Sequence, residues 1–373
     1  MRDRVSFTAA APGRICLFGE HQDYLGLKVI AQAINLKFYI HGYPSSMPGF
    51  HVIMPDIKEE ESFFPEGDLA YAHSRDYIKA AVNVIKREVG IREFPDYDFI
   101  FHSTIPINAG CSSSSAMVVA WVKSLLFLAG KEEWKDPERV AYLAYLSEVR
   151  EFSESGGMMD HYTSSFGGLL LIDASTHPFG VEKLSYGIRG FVLGNSGEKK
   201  DTLGTLKEIR ARMESAISKM KEFLPEFDLN STPTEKVEPF LKKLDEKEAS
   251  LLLANLINRD ILMEALALIK HGVDDPVSEP TLAQKKLGRL LSRHHEQLRD
   301  ALGISTPKIE SMLQAAVEAG ALGGKINGSG GGGTMIAYAP GREREVAQAI
   351  KEAGGDAWVV YPAPGASIYV ETS

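Results

Sequence analysis

Side chains able to do chemistry are concentrated in a few short stretches. The first is Pro106-Ile107-Asn108-Ala109-Gly110-Cys111-Ser112-Ser113-Ser114-Ser115-Ala116. Small residues let a ligand approach the backbone closely. A β-prone run over 97–103 leads in, and an apolar helical run over 117–129 leads out and stops at Gly130. The first N–H groups of a helix lack internal partners and carry partial positive charge, which makes this loop a natural phosphate seat. Its hydroxyls could also reach a metal ion. A serine-rich helix cap would account for the same residues. The second stretch, Glu20-His21-Gln22-Asp23-Tyr24, is a polar knot between apolar runs. Carboxylates and imidazole suit a polyhydroxylated ligand, because each can take sugar hydroxyls. A solvated turn is the plainer alternative. Glu148 sits near the end of a helical pattern, where the macrodipole disfavours an acid, and this suggests another duty for it. Asp160 follows Gly156-Gly157 and two methionines. It reads either as a partly shielded functional carboxylate or as a turn or N-cap aspartate. Gly323 to Thr334 is mostly glycine, serine and threonine, consistent with a tight loop approaching a ligand or with a flexible linker.

The frame that must position these residues is long. At 373 residues the chain exceeds one ordinary core, so two domains are expected. A formal net charge of −9 argues against a nucleic-acid or anionic-membrane partner. No apolar run reaches the roughly 18 residues of a membrane span, and the first residues lack a signal-peptide core. Two cysteines, Cys16 and Cys111, lie far apart and fit a reducing cytoplasm better than a disulfide framework. The adjacent pair His294-His295 does not suit zinc, since helical neighbours diverge by about 100°. The pattern predicts strand, turn and strand over 5–19, β character over 29–34 and 37–40, and a hairpin or loop over 51–66. Helices are expected over 77–89, ended by Gly90, and from Asp136-Pro137 to about Phe152. A strand over 169–172 precedes a boundary near 175–185. Residues 202–223 and 234–302 are helical in pattern, and Thr306-Pro307 starts a helix that ends at Gly320. The tail reads as β-α-β-β, a small α+β sandwich.

In this order the stretches resemble the galactokinase branch of the GHMP small-molecule kinases. Ala11-Pro12-Gly13-Arg14-Ile15-Cys16-Leu17-Phe18-Gly19-Glu20-His21-Gln22-Asp23-Tyr24 looks like the family's opening motif. Pro106, Gly110 and Ser112-Ser113-Ser114 resemble its phosphate loop, and Gly323 to Gly333, containing Gly328, Ser329, Gly330 and Gly331, resembles its C-terminal glycine motif. Gly157-Met158-Met159-Asp160 and His295-Glu296-Gln297-Leu298-Arg299-Asp300 add further matches. The resemblance implies an α+β two-domain fold. An N-terminal domain over 1–180 would hold a mixed sheet with helices, of the ribosomal S5 domain 2-like kind. A C-terminal domain over 181–373 would be a ferredoxin-like α/β sandwich with a helical insertion, and the active site would lie between them. The implied activity is ATP- and Mg²⁺-dependent phosphorylation of the anomeric hydroxyl of a monosaccharide, galactose first. A uronic acid, deoxy sugar, pentose or amino sugar is the alternative substrate. The implied protein is a cytoplasmic monomer or weak homodimer with no nucleic-acid or membrane partner. A non-catalytic sugar sensor of this fold should have lost its phosphate loop or base, and both are present.

Carried over residue by residue, Asp160 matches the family's catalytic base, and Arg14 the arginine that holds it ionised and offsets phosphoryl charge. Ser114 and Glu148 match the Mg²⁺ ligands, an oxygen pair suited to a hard cation. Glu20, His21 and Asp23 match the sugar contacts, with the Gly157 backbone adding one. Pro106, Asn108, Ala109, Gly110, Cys111, Ser112, Ser113, Ser114, Ser115 and Ala116 match the ATP loop, with Ser112 and Ser113 as donors to phosphate. Cys16, Gln22, Leu25, Cys111 and Ser115 depart from the usual pattern. The segment Asn195 to Leu203 lacks the sugar-contacting tyrosine that galactokinases place there. Lys199 or Lys200 could face an acidic substrate group, or both are solvated surface lysines.

Overall fold

The computed structural model describes residues 5–106, 111–198, 202–273 and 279–371. The first half begins with β1 (Phe7–Phe18), β2 (Lys28–Pro44), β3 (Phe50–Met54) and β4 (Glu59–Phe63). It continues through α1 (Tyr77–Val89), β5 (Tyr97–Ser103), α2 (Ser113–Leu128), α3 (Pro137–Tyr145), α4 (Met159–Phe166), β6 (Leu169–Asp173) and β7 (Gly180–Ser185). The second half runs through β8 (Phe191–Asn195), α5 (Thr202–Phe223), α6 (Thr234–Leu241), α7 (Glu246–His271), α8 (Leu282–Asp300) and α9 (Pro307–Glu318). It closes with β9 (Gly323–Asn327), β10 (Thr334–Tyr338), α10 (Glu343–Glu352), β11 (Asp356–Val360) and β12 (Ser367–Val370).

Two sheets result, as the α+β expectation requires. One is mixed, in the order β12-β1-β2-β5-β3-β4, with β6 on β2 and β7 on β6. Among the described residues only β3 and β5 pair in parallel there. The other is antiparallel, in the order β11-β8-β10-β9. α2 is the central helix of the first half. It is apolar nearly all round, and Trp121 packs among Phe50, Phe99 and Phe101 while its indole N–H bonds the Ile78 carbonyl. A helix buried on every face needs no polar stripe.

Several local expectations are amended by the structure. Residues 7–18 form one strand rather than strand, turn and strand. Bulges between Pro12 and Arg14 and between Cys16 and Phe18 absorb the irregular residues without ending the pairing to β2. The tail does not keep its last strand in the small sandwich, because Ser367–Val370 pairs with Phe7–Ala10 in the first sheet. That sheet also runs past residue 180, since β7 pairs with β6. The helix expected to reach Phe152 loses α-geometry at Tyr145 and continues as a wide π-turn over Leu146–Arg150. The helix expected from 117 begins four residues earlier, inside the serine run.

α7 joins the two cores. Leu251, Leu252 and Leu256 belong to the core under the second sheet, whereas Ile261, Leu266 and Ile269 belong to that of the first. Among the described residues no helix is long and apolar enough to cross a membrane.

Candidate active site

A cavity of about 370 Å³ opens where β1, the N-terminus of α2, the first turn of α4 and the loop after β9 converge. It is lined by Arg14, Glu20, His21, Asp23, Ser112, Ser113, Ser114, Ser115, Glu148, Gly157, Asp160, Gly328 and Ser329. Residues far apart in sequence are thus brought together from the opening motif, the serine run, the glycine motif and both lone acids.

Arg14 enters because the bulge in β1 seats that strand against the serine loop. The Arg14 N–H donates to the Cys111 carbonyl at 3.4 Å, and a Cβ on Gly13 would lie 2.9 Å from that oxygen. The Arg14 side chain, 4% exposed, forks onto Asp160, with Nε to Oδ1 at 2.7 Å and Nη2 to Oδ2 at 3.1 Å. Such bidentate pairs fix geometry as well as charge. Burial alone would raise the Asp160 pKa, but Arg14, then Ser112 and His161, outweigh it and hold the carboxyl below its usual range. Burial likewise works against the Arg14 charge, and Asp160 followed by Glu20 holds its pKa above the ordinary value. Ser112 sits in left-handed conformation at φ 60°. Its hydroxyl is near enough to favour ionised Asp160 yet makes no well-formed hydrogen bond among the described residues.

Asp23 is treated differently. It accepts from the Tyr24 N–H at 3.0 Å and the Met159 N–H at 3.2 Å, with no cation bonded to it among the described residues. Burial is the largest influence and, helped by Asp160 and Glu20 against the two N–H donors, pushes its pKa up to about 6. Its carboxylate fills the space above Gly157, where a Cβ would fall 1.9 Å from Oδ2. Glycine is therefore required at 157 by Asp23, apart from any backbone contact to ligand.

Glu20 and His21 arrive already held by the glycine motif. Lys325, fully buried, donates to Glu20 Oε2 at 2.8 Å and to the Cys16 carbonyl at 2.9 Å. His21 Nε2 donates to the Ser329 carbonyl at 3.1 Å, which leaves Nδ1 to accept from the Tyr24 hydroxyl at 3.0 Å. Asn327 accepts from the Cys16 N–H at 2.8 Å, and His295 Nδ1 accepts from the Ile326 N–H at 3.2 Å. Gln22, one of the departures, turns away to bond the Asn255 carbonyl in α7 at 2.8 Å.

Other expected site residues lie elsewhere. Cys111 and Ala116 turn into the core, with the Cys111 thiol against Thr334. Pro106 does not line the cavity. Gly330 packs on Ile304, and the Gly331 N–H bonds the Ile304 carbonyl, so these two glycines close a loop rather than face the cavity. Asn108, Ala109 and Gly110, together with Lys199 and Lys200, lie outside the described residues. Among the described residues no cluster of three or more His, Cys, Asp or Glu is arranged for a metal. The oxygen donors in reach of the cavity, Ser114 and Glu148, suit a hard cation that also takes ligand and water oxygens.

Two features escaped the sequence reading. Lys325 could have been noticed as a lone charge inside a strand otherwise destined for burial. The apolar lining residues Phe38, Met54, Ile57, Phe101 and Met117 have no sequence signal, since they are gathered from separate elements.

Comparison with known proteins gives the family and the fold. Residues 76–168 match the GHMP kinases N terminal domain and 280–356 the GHMP kinases C terminal domain. The chain is 32% identical to the mevalonate kinase of Pyrococcus horikoshii, over 93% of this chain and 92% of that protein. The chain belongs to the GHMP kinases. As a member of that family it is a phosphotransferase that uses ATP. Residues 2–44 of this GHMP kinase also match the galactokinase galactose-binding signature. It is 26% identical to the galactokinase of Streptomyces coelicolor, over 88% of this chain and 83% of that protein. Among solved structures, Lactococcus lactis galactokinase complexed with galactose superposes with a TM-score of 0.82 at 19% identity, over 97% and 95% of the two chains. Methanococcus jannaschii mevalonate kinase gives 0.69 at 18% identity, over 95% and 98%.

Proposed function

We propose that this GHMP kinase phosphorylates the anomeric hydroxyl of a neutral monosaccharide, galactose, using ATP and Mg²⁺. The observation that carries this reading is the charge arrangement around Asp23. Two carboxylates, Asp23 and Glu20, face the cavity beside Asp160. Among the described residues, the lining cations Arg14 and Arg75 and the Lys325 behind Glu20 are each committed to a carboxylate: Arg14 to Asp160, Lys325 to Glu20 and Arg75 to Glu154. A neutral polyol meets acceptors there, whereas a carboxylate-bearing substrate would meet like charge. The match to the galactose-binding signature covers Arg14, Glu20 and Asp23.

The sugar C1 hydroxyl approaches Asp160, held ionised by Arg14. As its oxygen bonds the γ-phosphorus and the bond to the ADP oxygen breaks, the hydroxyl proton passes to the Asp160 carboxylate. Positioning and electrostatics carry most of such a transfer. The N–H groups at the start of α2 face the phosphates, and no acidic residue in its first turn opposes them. Ser114 and Glu148 would hold Mg²⁺, whose charge would offset that of the phosphate oxygens. The apolar lining residues Phe38, Phe101 and Met117 would suit the base of the nucleotide.

A second reading follows from the Pyrococcus relative named mevalonate kinase: a substrate that carries its own carboxylate. ADP release with galactose, related sugars and mevalonate in one panel, followed by assignment of the product phosphate position, separates the two. Turnover of galactose with phosphate at C1 is expected. Turnover of mevalonate alone sinks the sugar reading.

A further inference from the structure

Glu148 does not reach the cavity unassisted. It lies in the π-turn over Leu146–Arg150 and is 7% exposed. A π-turn often marks a functional position within a helix. His161, 2% exposed and next in sequence to Asp160, meets it with Nε2 to Oε2 at 2.7 Å. An ionised carboxylate only accepts, so Nε2 carries the hydrogen. The remaining ring nitrogen, Nδ1, is buried without a partner among the described residues, and Tyr145 packs edge-on against the ring at 5.9 Å. Among the described residues the imidazole therefore makes one hydrogen bond, and its partner is Glu148.

We infer that His161 is a positioning residue for Glu148, fixing Oε2 so that Oε1 is presented to the cation that accompanies the nucleotide. The inference rests on the reading of Glu148 as a Mg²⁺ ligand. One turn of α4 then carries two functions a residue apart. Asp160 points at the substrate hydroxyl, and His161, rotated about 100° round the helix, points back at the metal carboxylate. Outer partners of this kind hold a ligand in one rotamer before the ion arrives.

The test measures Mn²⁺ binding to the protein–ADP complex by electron paramagnetic resonance of free Mn²⁺, alongside Mg²⁺ activation and sugar KM. His161→Leu should weaken Mn²⁺ binding about 10–100-fold, the usual effect of losing such a partner, with sugar KM unmoved. His161→Gln, whose amide can still donate, should restore most of it. In a Glu148→Gln background, His161→Leu should add nothing. Unchanged Mn²⁺ binding in folded His161→Leu overturns the inference, as does an equal loss in both backgrounds. Should the leucine variant fail to fold, His161→Met serves in its place. If the unsubstituted protein adds nothing to the Mn²⁺ affinity of free ADP, the metal reading of Glu148 falls and the inference with it. An intact Mn²⁺ site insensitive to residue 161 removes the inference alone.

Discussion

Asp160 and Asp23 are neighbouring carboxylates of one cavity, Asp23 buried and Asp160 partly exposed, and the protein handles them in opposite ways. Asp160 receives a forked guanidinium and is held below the usual carboxylate range. Asp23 receives two backbone N–H groups and is pushed up to about 6. Environments that drive two acids apart assign them different work. Asp160 is complete before any ligand arrives, as suits a group that must be ionised and aligned for transfer. Asp23 is short of polar partners, and a ligand hydroxyl that donates to it would relieve the shortage. On the proposed assignment, the group that serves transfer is preorganised, whereas the substrate contact is completed by the substrate.

The largest effect should come from the preorganised group. Asp160→Asn keeps shape and hydrogen-bonding capacity but loses the proton acceptor. Turnover should fall about 10²–10⁴-fold, with sugar affinity, measured by calorimetry, within about tenfold of the parent. Near-full turnover would end the base role and with it the contrast.

At the substrate contact, Asp23→Ala should cost on the order of 1.5–3 kcal/mol in kcat/KM for the sugar, the worth of a charged hydrogen bond, and leave the ATP KM in place. If only the ATP KM moves, the two carboxylates have been misassigned. Asp23→Asn adds a stability readout. The folded carboxyl binds its proton up to about pH 6, above the usual carboxylate value, so between these limits the folded state holds more protons than the unfolded state. Stability contributed by this group therefore falls as pH rises through that window. Neutral asparagine should raise ligand-free stability at pH 8 by on the order of 1–3 kcal/mol, while sugar affinity drops. Loss of stability instead would mean that Asp23 is adequately solvated.

Gly157→Ala sharpens the comparison without touching either acid. The new methyl would displace the Asp23 carboxylate and leave Asp160, three residues on, paired with Arg14. Misplacement of about 1 Å should raise the sugar KM roughly 10–100-fold with little change in kcat. A fall in kcat at constant KM would show that the strain runs toward Asp160.

The sequence made the preorganised group more legible than the other. Arg14, the serine run, Glu148 and Asp160 sit in motifs with their own chemistry, and the cavity brings them together. The sheets followed from period-two runs, but β12 was assigned to the wrong sheet because strand alternation carries no information about partners. Lys325 was hidden by its glycine-rich surroundings, although it is what holds Glu20. The Asp23–Gly157 contact joins residues 134 positions apart, and nothing local to either announces it. Contacts made by tertiary packing leave no periodic trace, so the motif residues Glu20, His21 and Asp23 were legible while the Lys325 and Gly157 contacts that fix them were not.

That asymmetry reaches the pH profile, where the smallest effect is expected. Asp160 stays ionised well below neutrality because Arg14 holds it there, so it contributes no inflection near pH 6. Asp23 should contribute one, since its proton returns at about 6. A protonated carboxyl loses the charge that strengthens its bond to a sugar hydroxyl. With MgATP saturating, kcat/KM for the sugar should decline below about pH 6, approaching tenfold per unit, while kcat at saturating sugar changes less. In Asp23→Asn the same inflection should vanish from a profile that is lower throughout. If it persists there, the titrating group is another one, and Asp23 owes its position to packing against Gly157 rather than to substrate.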